Sequence, residues 1–435
     1  VNLSAWVVTS TLLIACFYGL TYIFYKLLQS VPRAEFPTET PPLVSVIVPA
    51  RNEEGKVGRL LRSLLLQHYP NLEIVIIDDR STDNTAKVIQ SYVDSILNHK
   101  KCIKFVHGKD APEGWIGKCN ALAHAVSYAS GDWLIFTDAD TYHYPNSIGD
   151  AVAYAVSNKS DLASFVPVQE LGSFSEKLIM PVLLSSFLLG DPFHSINDSQ
   201  SKRAYAYGQY IVCRRNPYMA VGGHQRVRDE IVEDHALARV FKEDGYKISV
   251  ADGKTLYSVR MYTNLETLWQ GWTKNLYSFI DSNVINLVFY LILINAVALG
   301  PFIQLLLVAQ LFLSGNEENI FNASRLLPIV AIEFGILYLW FKKASQHHVG
   351  IDWRNFFLMP FGGLAVSALF FHAAYMVLSG SQISWKGRRY VVNTAKTISP
   401  HAEPTPSSMK EGYAMDNYLE PAPIPAEARE ASPIS

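Results

Sequence analysis

The sequence predicts an α/β domain, built on a mostly parallel sheet with helices on both faces, joined to transmembrane helices. Three observations predict it. Between Val44 and Asn275, strand-like apolar runs alternate with helical patterns, the order that builds a parallel sheet covered on both sides. Polar residues gather directly after those runs, where such sheets keep their ligand sites. The 435-residue chain is 49% hydrophobic but only 17% charged, against about 25% charged in a soluble globular domain, so part of it faces lipid.

In chain order, Ala5 to Leu28 is an almost uncharged apolar run, long enough to cross a hydrocarbon core of ~30 Å as a helix. Residues 5–28 are therefore read as a first transmembrane helix. The run lacks a basic start and a small-residue cleavage site, so an anchor is expected rather than a removable signal. Because the sequence opens on Val1, a start upstream of it is expected. Lys26, near the end of the run, and Arg33, after it, put the next domain in the cytoplasm by the positive-inside tendency. Thr38 to Pro42 is a Pro-rich linker.

The α/β domain is expected over 43–275. Val44-Ser45-Val46-Ile47-Val48 is a β-rich run ended by Pro49, and Val57 to Gln67 has helical spacing. Leu72 to Ile77 is a second strand, ended by Asp78-Asp79, and Trp133 to Phe136 another, ended by Asp138-Ala139-Asp140. Leu178 to Leu189 is apolar but too short to span, so it lies on the membrane or in the core. C-terminal transmembrane helices are expected over 284–379, in three stretches: Val284 to Leu313 (broken or kinked at Gly300-Pro301), Leu326 to Phe341, and Phe356 to Leu378. Lys342-Lys343 and Trp385-Lys386-Gly387-Arg388-Arg389 both carry the cytoplasmic signature, and one simple span between them cannot satisfy both. A multi-pass protein of the plasma membrane is expected. Residues 395–435, rich in Pro, Ala, Ser and Glu, read as a disordered tail.

The net charge of −2 offers no basic excess for nucleic acid phosphates, so nucleic acid is not an expected partner. Cys16, Cys102, Cys119 and Cys213 match neither a disulfide framework nor a zinc site; buried free thiols are expected.

The chemistry is carried by motifs in a fixed order: Pro49-Ala50-Arg51-Asn52-Glu53-Glu54, Asp78-Asp79-Arg80-Ser81-Thr82-Asp83, Gly114-Trp115-Ile116-Gly117-Lys118, Thr137-Asp138-Ala139-Asp140, Glu233-Asp234-His235 and Trp269-Gln270-Gly271-Trp272. A nucleotide diphosphate needs charge neutralisation to leave, and a hard divalent cation on oxygen ligands provides it. Asp138 and Asp140, alternating at a strand end, could aim one carboxylate at metal and the other at sugar or ribose. A solvated Asp turn is the bland alternative. Asp79 can accept from a base edge or ribose hydroxyl, while Ser81 or Asp83 starts a helix over Ala86 to Tyr92. Arg51 and Glu53 are read as closing over a nucleotide, or as a surface ion pair. Lys118 follows a Gly hinge, where its ammonium can meet diphosphate.

Glu233-Asp234 opens a helical segment over Asp234 to Glu243. Their roles there are dipole partner or general base removing a proton from an attacking hydroxyl, with Asp234 the first choice and Glu233 the second. Trp269 and Trp272 share a helix face and would roof the sugar, line an acceptor slot, or form an interfacial aromatic belt. His347-His348 reads as a solvated loop.

This ordered set resembles the family-2 inverting glycosyltransferases of the GT-A fold, over roughly Val44 to Asn275. The resemblance implies a nucleotide-sugar site at Pro49, Arg51, Glu53 and Asp79, a divalent metal (Mg2+ or Mn2+) at Asp140 with Asp138 nearby, and a catalytic base at Asp234. Gly114 to Lys118, Arg260-Met261-Tyr262 through Asn275, and Trp385 to Tyr390 are similar to the carotenoid glycosyltransferases, the diaponeurosporenoate glucosyltransferase type in particular. Hopanoid-associated and ceramide glucosyltransferases are more distant. The implied reaction is transfer of a single hexose, glucose from UDP-glucose, to a lipid or carotenoid acceptor. Processive polysaccharide synthases of the family carry Gln-x-x-Arg-Trp where this chain has Trp-Gln-Gly-Trp, which favours single transfer. The rival readings are such a synthase, and a transport or scaffold protein with a degenerate nucleotide-binding domain.

Overall fold

A computed structural model describes residues 8–9, 11–12, 14–16, 18–19, 28–33, 41–95, 102–187, 193–280, 284–345, 348–379, 381–385, 388–392 and 398–400. Most of the expected anchor over 5–28, part of the linker and nearly all of the expected tail lie outside these residues.

The α/β domain is organised on a seven-stranded sheet in the order β3-β2-β1-β4-β8-β6-β9. Its strands are β1 (Val44–Ala50), β2 (Leu72–Asp78), β3 (Cys102–His107), β4 (Trp133–Thr137), β6 (Leu162–Val166), β8 (Tyr210–Arg214) and β9 (Ile248–Asp252). β1 runs parallel to β2 and β4, β2 to β3, and β6 to β9. β8 runs antiparallel to both its neighbours, β4 and β6, so the sheet is mixed, with one reversed strand in a parallel frame. A second, four-stranded sheet joins β5 (Thr141–His143), β7 (Val168–Glu170), β10 (Tyr257–Val259) and the short β11 (His348–Val349). His348 therefore pairs in a sheet rather than lying in a solvated loop.

The alternation of side chains along β1 explains the two covered faces. Val46 and Val48 pack with Leu60, Leu61 and Ile148 of the helices Val57–Leu65 and Ser147–Ser157. Ile47 packs on the other face with Ala121, Leu122 and Phe241, from the helices Gly117–Val126 and Glu233–Glu243. Cys119 and Cys213 are buried free thiols; Cys16 and Cys102 are exposed, a departure from the expectation, with Cys102 at the open end of edge strand β3.

Among the described residues, two helices are long and apolar enough to cross a membrane, within Glu317–Lys343 and Trp353–Leu378; Leu287–Ala298 and Gly300–Leu313 form a pair bent by 50° that amounts to a third if it is one span. The break falls at Leu299, directly before the Gly300-Pro301 pair at which the sequence predicts it. Large apolar side chains such as Ile285, Leu306, Leu339, Phe361 and Phe371 are exposed on these helices, which suits contact with lipid. Among the described residues of the first segment, Ile14 and Tyr18 pack against Val297, Leu337 and Trp340.

The helix Phe174–Phe187 belongs to the core: its Ile179, Met180, Val182 and Leu183 are buried with Leu268, Trp272 and Leu276 and with Val366, Leu369 and Phe370 of the last span. One apolar cluster thus links the α/β domain to the apolar C-terminal helices. A three-stranded sheet follows, of β12 (Gln382–Trp385), β13 (Arg388–Val392) and β14 (Ile398–Pro400), the last within the stretch expected as tail.

Candidate active site

The ends of β1 and β2 are tied together by their own polar residues. Asn52 takes a positive φ of 52°, a conformation that Asn tolerates better than most residues. Its Oδ1 accepts from Thr82 N at 2.8 Å, and its N–H donates to Ser81 Oγ at 3.0 Å. Glu53 N–H donates to Thr85 Oγ1 at 2.8 Å. Arg51 Nη1 donates to the carbonyls of Asp79 and Arg80 at 2.8 and 3.0 Å. Arg51 therefore braces the two loops. Glu53 and Asp79 are buried at the same place. Asp83 caps the helix Thr85–Ser95 by accepting from Thr85 N at 3.0 Å.

At the end of β4, Thr137 Oγ1 lies 2.9 Å from His143 Nε2, from Thr141 Oγ1 and from the Gln209 carbonyl. This buried network pins both ends of the turn that carries Asp138 and Asp140. Burial pushes the His143 imidazole down to about 3, so it is neutral.

Lys118, in the first turn of its helix, stands between two carboxylates: Nζ is 2.8 Å from Asp138 Oδ1 and 2.7 Å from Glu233 Oε1. Burial disfavours its charge, but Asp138 and Glu233 outweigh that and hold it well above the usual lysine value. Burial likewise disfavours ionised Glu233, yet Lys118, helped by Lys274, brings that carboxyl below its ordinary range. Asp234 moves the other way: enclosure raises it and the Glu233 charge adds to the rise, against an opposing pull from His235. Its Oδ2 accepts from Gly208 N at 2.7 Å and its Oδ1 from His235 N at 2.9 Å. A Cβ at residue 208 would stand 2.6 Å from Asp234 Oδ2, so only glycine permits this approach.

A small pocket is lined by Pro49, Lys118, Asp138, Gly208, Glu233 and Asp234, among others. Five of these six were expected from sequence. Asp140 lies beside it, with its Oδ2 3.8 Å from Lys56 Nζ. Lys56 is a residue that sequence reasoning missed. Its ammonium also lies 3.5 Å from Glu53 Oε2 and donates to the Met261 carbonyl at 3.0 Å. A lysine beside Glu53-Glu54-Gly55 at the start of an amphipathic helix reads as a solvated charge, and nothing nearby signals otherwise. His224, also missed, lines the pocket and is pushed down to about 4 by burial; Tyr218 Oη lies 2.8 Å from its Nδ1.

Trp269 and Trp272 lie on the helix Leu265–Ile280 but do not line the pocket. Trp272 is buried, its indole N–H donating to Met180 Sδ at 3.1 Å, and the Trp269 N–H donates to His372 Nδ1 of the last span at 3.1 Å. Their shared face is the apolar face of the helix, and the helix Met359–Leu378 covers it.

Asp138 and Asp140 supply oxygen ligands of the kind a hard cation takes. Among the described residues no group of three or more His, Cys, Asp or Glu converges. Two carboxylates fit a cation such as Mg2+, which commonly takes one or two from the protein and the rest from substrate phosphates and water.

The glycosyl transferase family 2 model matches residues 45–218, the segment running from β1 through β8. This chain carries a family 2 glycosyltransferase domain. Its sheet and covering helices form the GT-A fold. The 4,4'-diaponeurosporenoate glycosyltransferases of Staphylococcus aureus strains USA300 and NCTC 8325 are each 28% identical over 236 residues, which are 54% of this chain and 60% of theirs. Among solved structures, a mannosyltransferase from Pyrobaculum calidifontis in complex with GDP-Man and Mn2+ aligns with a TM-score of 0.47 and 17% identity, covering 86% of this chain and 96% of that one. TarS of S. aureus in complex with UDP-GlcNAc aligns with a TM-score of 0.38 and 17% identity, covering 82% and 99%.

Proposed function

We propose that the chain is a membrane-bound inverting glycosyltransferase that moves one hexose, glucose from UDP-glucose, to a lipid or carotenoid acceptor at the cytoplasmic face of the plasma membrane. One observation carries the reading. Asp138, at the donor-side strand end, and Asp234, at a helix start, line the same pocket, with Lys118 bridging Asp138 to Glu233. The similarity to diaponeurosporenoate glycosyltransferases supports a carotenoid acceptor. The apolar helices that follow the domain support the membrane assignment.

Pro49, Glu53 and Asp79 hold the nucleotide, with Arg51 keeping their loops together. Lys118 meets the diphosphate as a point charge. Asp140 and Asp138 hold Mg2+ or Mn2+, which when bound neutralises charge on the leaving diphosphate. Asp234 takes the proton of an acceptor hydroxyl as that oxygen attacks the anomeric carbon from the face opposite the diphosphate, and direct displacement inverts the configuration. Glu233, held ionised by Lys118, is the weaker base; Asp234, raised by enclosure, is the stronger. A carboxylate acceptor has no proton to give, and Asp234 would then only orient it. Trp269 and Trp272 act from behind, by fixing the acceptor-side helix against the last span.

The test is radiolabelled UDP-glucose on membranes containing the protein, followed by organic extraction and chromatography. Label in one small lipid-soluble product supports the reading. Label only in an insoluble polymer replaces it with a processive synthase. Donor binding without any turnover replaces it with a scaffold.

A further inference from the structure

We propose that Gln209 reads a hydroxyl of the transferred hexose; this rests on the donor reading above. Tyr210 of β8 pairs with Thr137 of β4 in an antiparallel register, so the next step outward sets Gln209 opposite Asp138. Its carbonyl accepts from Thr137 Oγ1 at 2.9 Å, and its neighbour Gly208 donates to Asp234 Oδ2 at 2.7 Å. Gln209 lies in the turn that leads into β8; Gly208 before it and Ile211 after it line the pocket, while its own side chain lies against Met261. Gln209 thus stands between the donor-side carboxylate and the base, where the sugar ring must sit during transfer.

The amide itself is under-used. Nε2 has only a long contact of 3.9 Å to Met261 Sδ, and Oε1 is buried with no hydrogen-bond partner. Exchanging the amide oxygen and nitrogen changes nothing, because one end would still face the sulfur and the other nothing. Native proteins rarely keep such a group without a use. The terminal torsion of Gln is broad, so the amide can turn from the sulfur towards a ligand at little cost. A neutral amide both donates and accepts, as a sugar hydroxyl does. It also leaves undisturbed the charge balance among Lys118, Asp138 and Glu233. A hexose offers several hydroxyls, whereas a carotenoid or lipid end offers a single polar group.

The experiment compares kcat/KM for UDP-glucose and its 2-, 3-, 4- and 6-deoxyglucose analogues, using the full-length protein in membranes. The variants are Gln209→Leu, which keeps the bulk, and Gln209→Glu, which keeps an acceptor. Wild type is expected to penalise one analogue about a hundredfold or more. Gln209→Leu should transfer glucose about ten- to a hundredfold more slowly while treating that analogue and glucose nearly alike. Gln209→Glu should keep the penalty. Retained UDP binding shows that the variants are folded; if Gln209→Leu is not, loss of the penalty must be sought in Gln209→Ala. An unchanged penalty in a folded variant, or a wild type that penalises no analogue, overturns the inference and leaves the proposed transferase standing. Wild-type failure with every nucleotide-hexose tried removes the transferase reading, and this inference with it.

Discussion

Asp234 and Glu233 are adjacent carboxylates shifted in opposite directions: burial dominates at Asp234, while at Glu233 the direct ion pair with Lys118 at 2.7 Å outweighs it. Asp234→Asn keeps the shape and, through its one amide oxygen, one of the two backbone hydrogen bonds, but it cannot take a proton. Transfer to a hydroxyl acceptor should fall about 10²- to 10⁴-fold with UDP binding retained; unchanged transfer would mean the base is misassigned. Gly208→Ala probes the same atom from the other side, since the added methyl must displace the carboxylate 2.6 Å away. It should reduce turnover at least tenfold, by the logic that small misplacements at a reacting centre are costly, with donor KM little changed. A rise in KM alone would mean that the contact serves donor binding. Lys118 and Lys56 now balance Asp138 and Asp140. Stripping divalent metal with a chelator should abolish hexose transfer, and Mg2+ or Mn2+ should restore it; full activity after chelation would refute the metal role of the two aspartates.

The turn between β4 and β5 is the element on which the site depends. Thr137, Thr141 and Ser147 enclose His143, with Tyr257 stacked on its ring and Tyr210 edge-on to it. The imidazole is lowered in the fold to about 3, against about 6.5 in an unfolded chain. Between those values the unfolded chain binds the additional proton, so this part of the stability is present above about pH 6.5 and drains away as pH falls towards 3. Thermal midpoints in detergent should drop across that window. His143→Gln should flatten the dependence even though it lowers the midpoint at neutral pH; an equally steep acid limb in the variant would exclude His143 as its source. None of this network was legible from the sequence. Thr137, Thr141 and His143 are ordinary strand residues until β8 closes over them.

The apolar C-terminal helices and the α/β domain share a buried cluster through Trp272, Met180 and Phe370, so the two pack directly against each other. Alkaline carbonate washing of membranes should leave the protein in the pellet; release into the supernatant would show peripheral attachment. At this scale the sequence by itself determined the fold class, the strand ends that bear Pro49, Asp79, Asp138 and Asp140, the helix start at Glu233-Asp234, and the broken apolar pair at Gly300-Pro301. Each of these is a local signal, a run of one periodicity ended by residues with their own turn or cap chemistry. Only the tertiary structure decided that β8 runs antiparallel beside β4, which brings Gln209 opposite Asp138 and Gly208 to Asp234. It decided also that Lys56 reaches Asp140 and that the Trp269–Trp272 face turns to the last span. Those relations join residues far apart in sequence, and register, strand direction and burial set them. Lys56, Gln209 and His224 therefore carry no mark of their neighbours in the chain order alone.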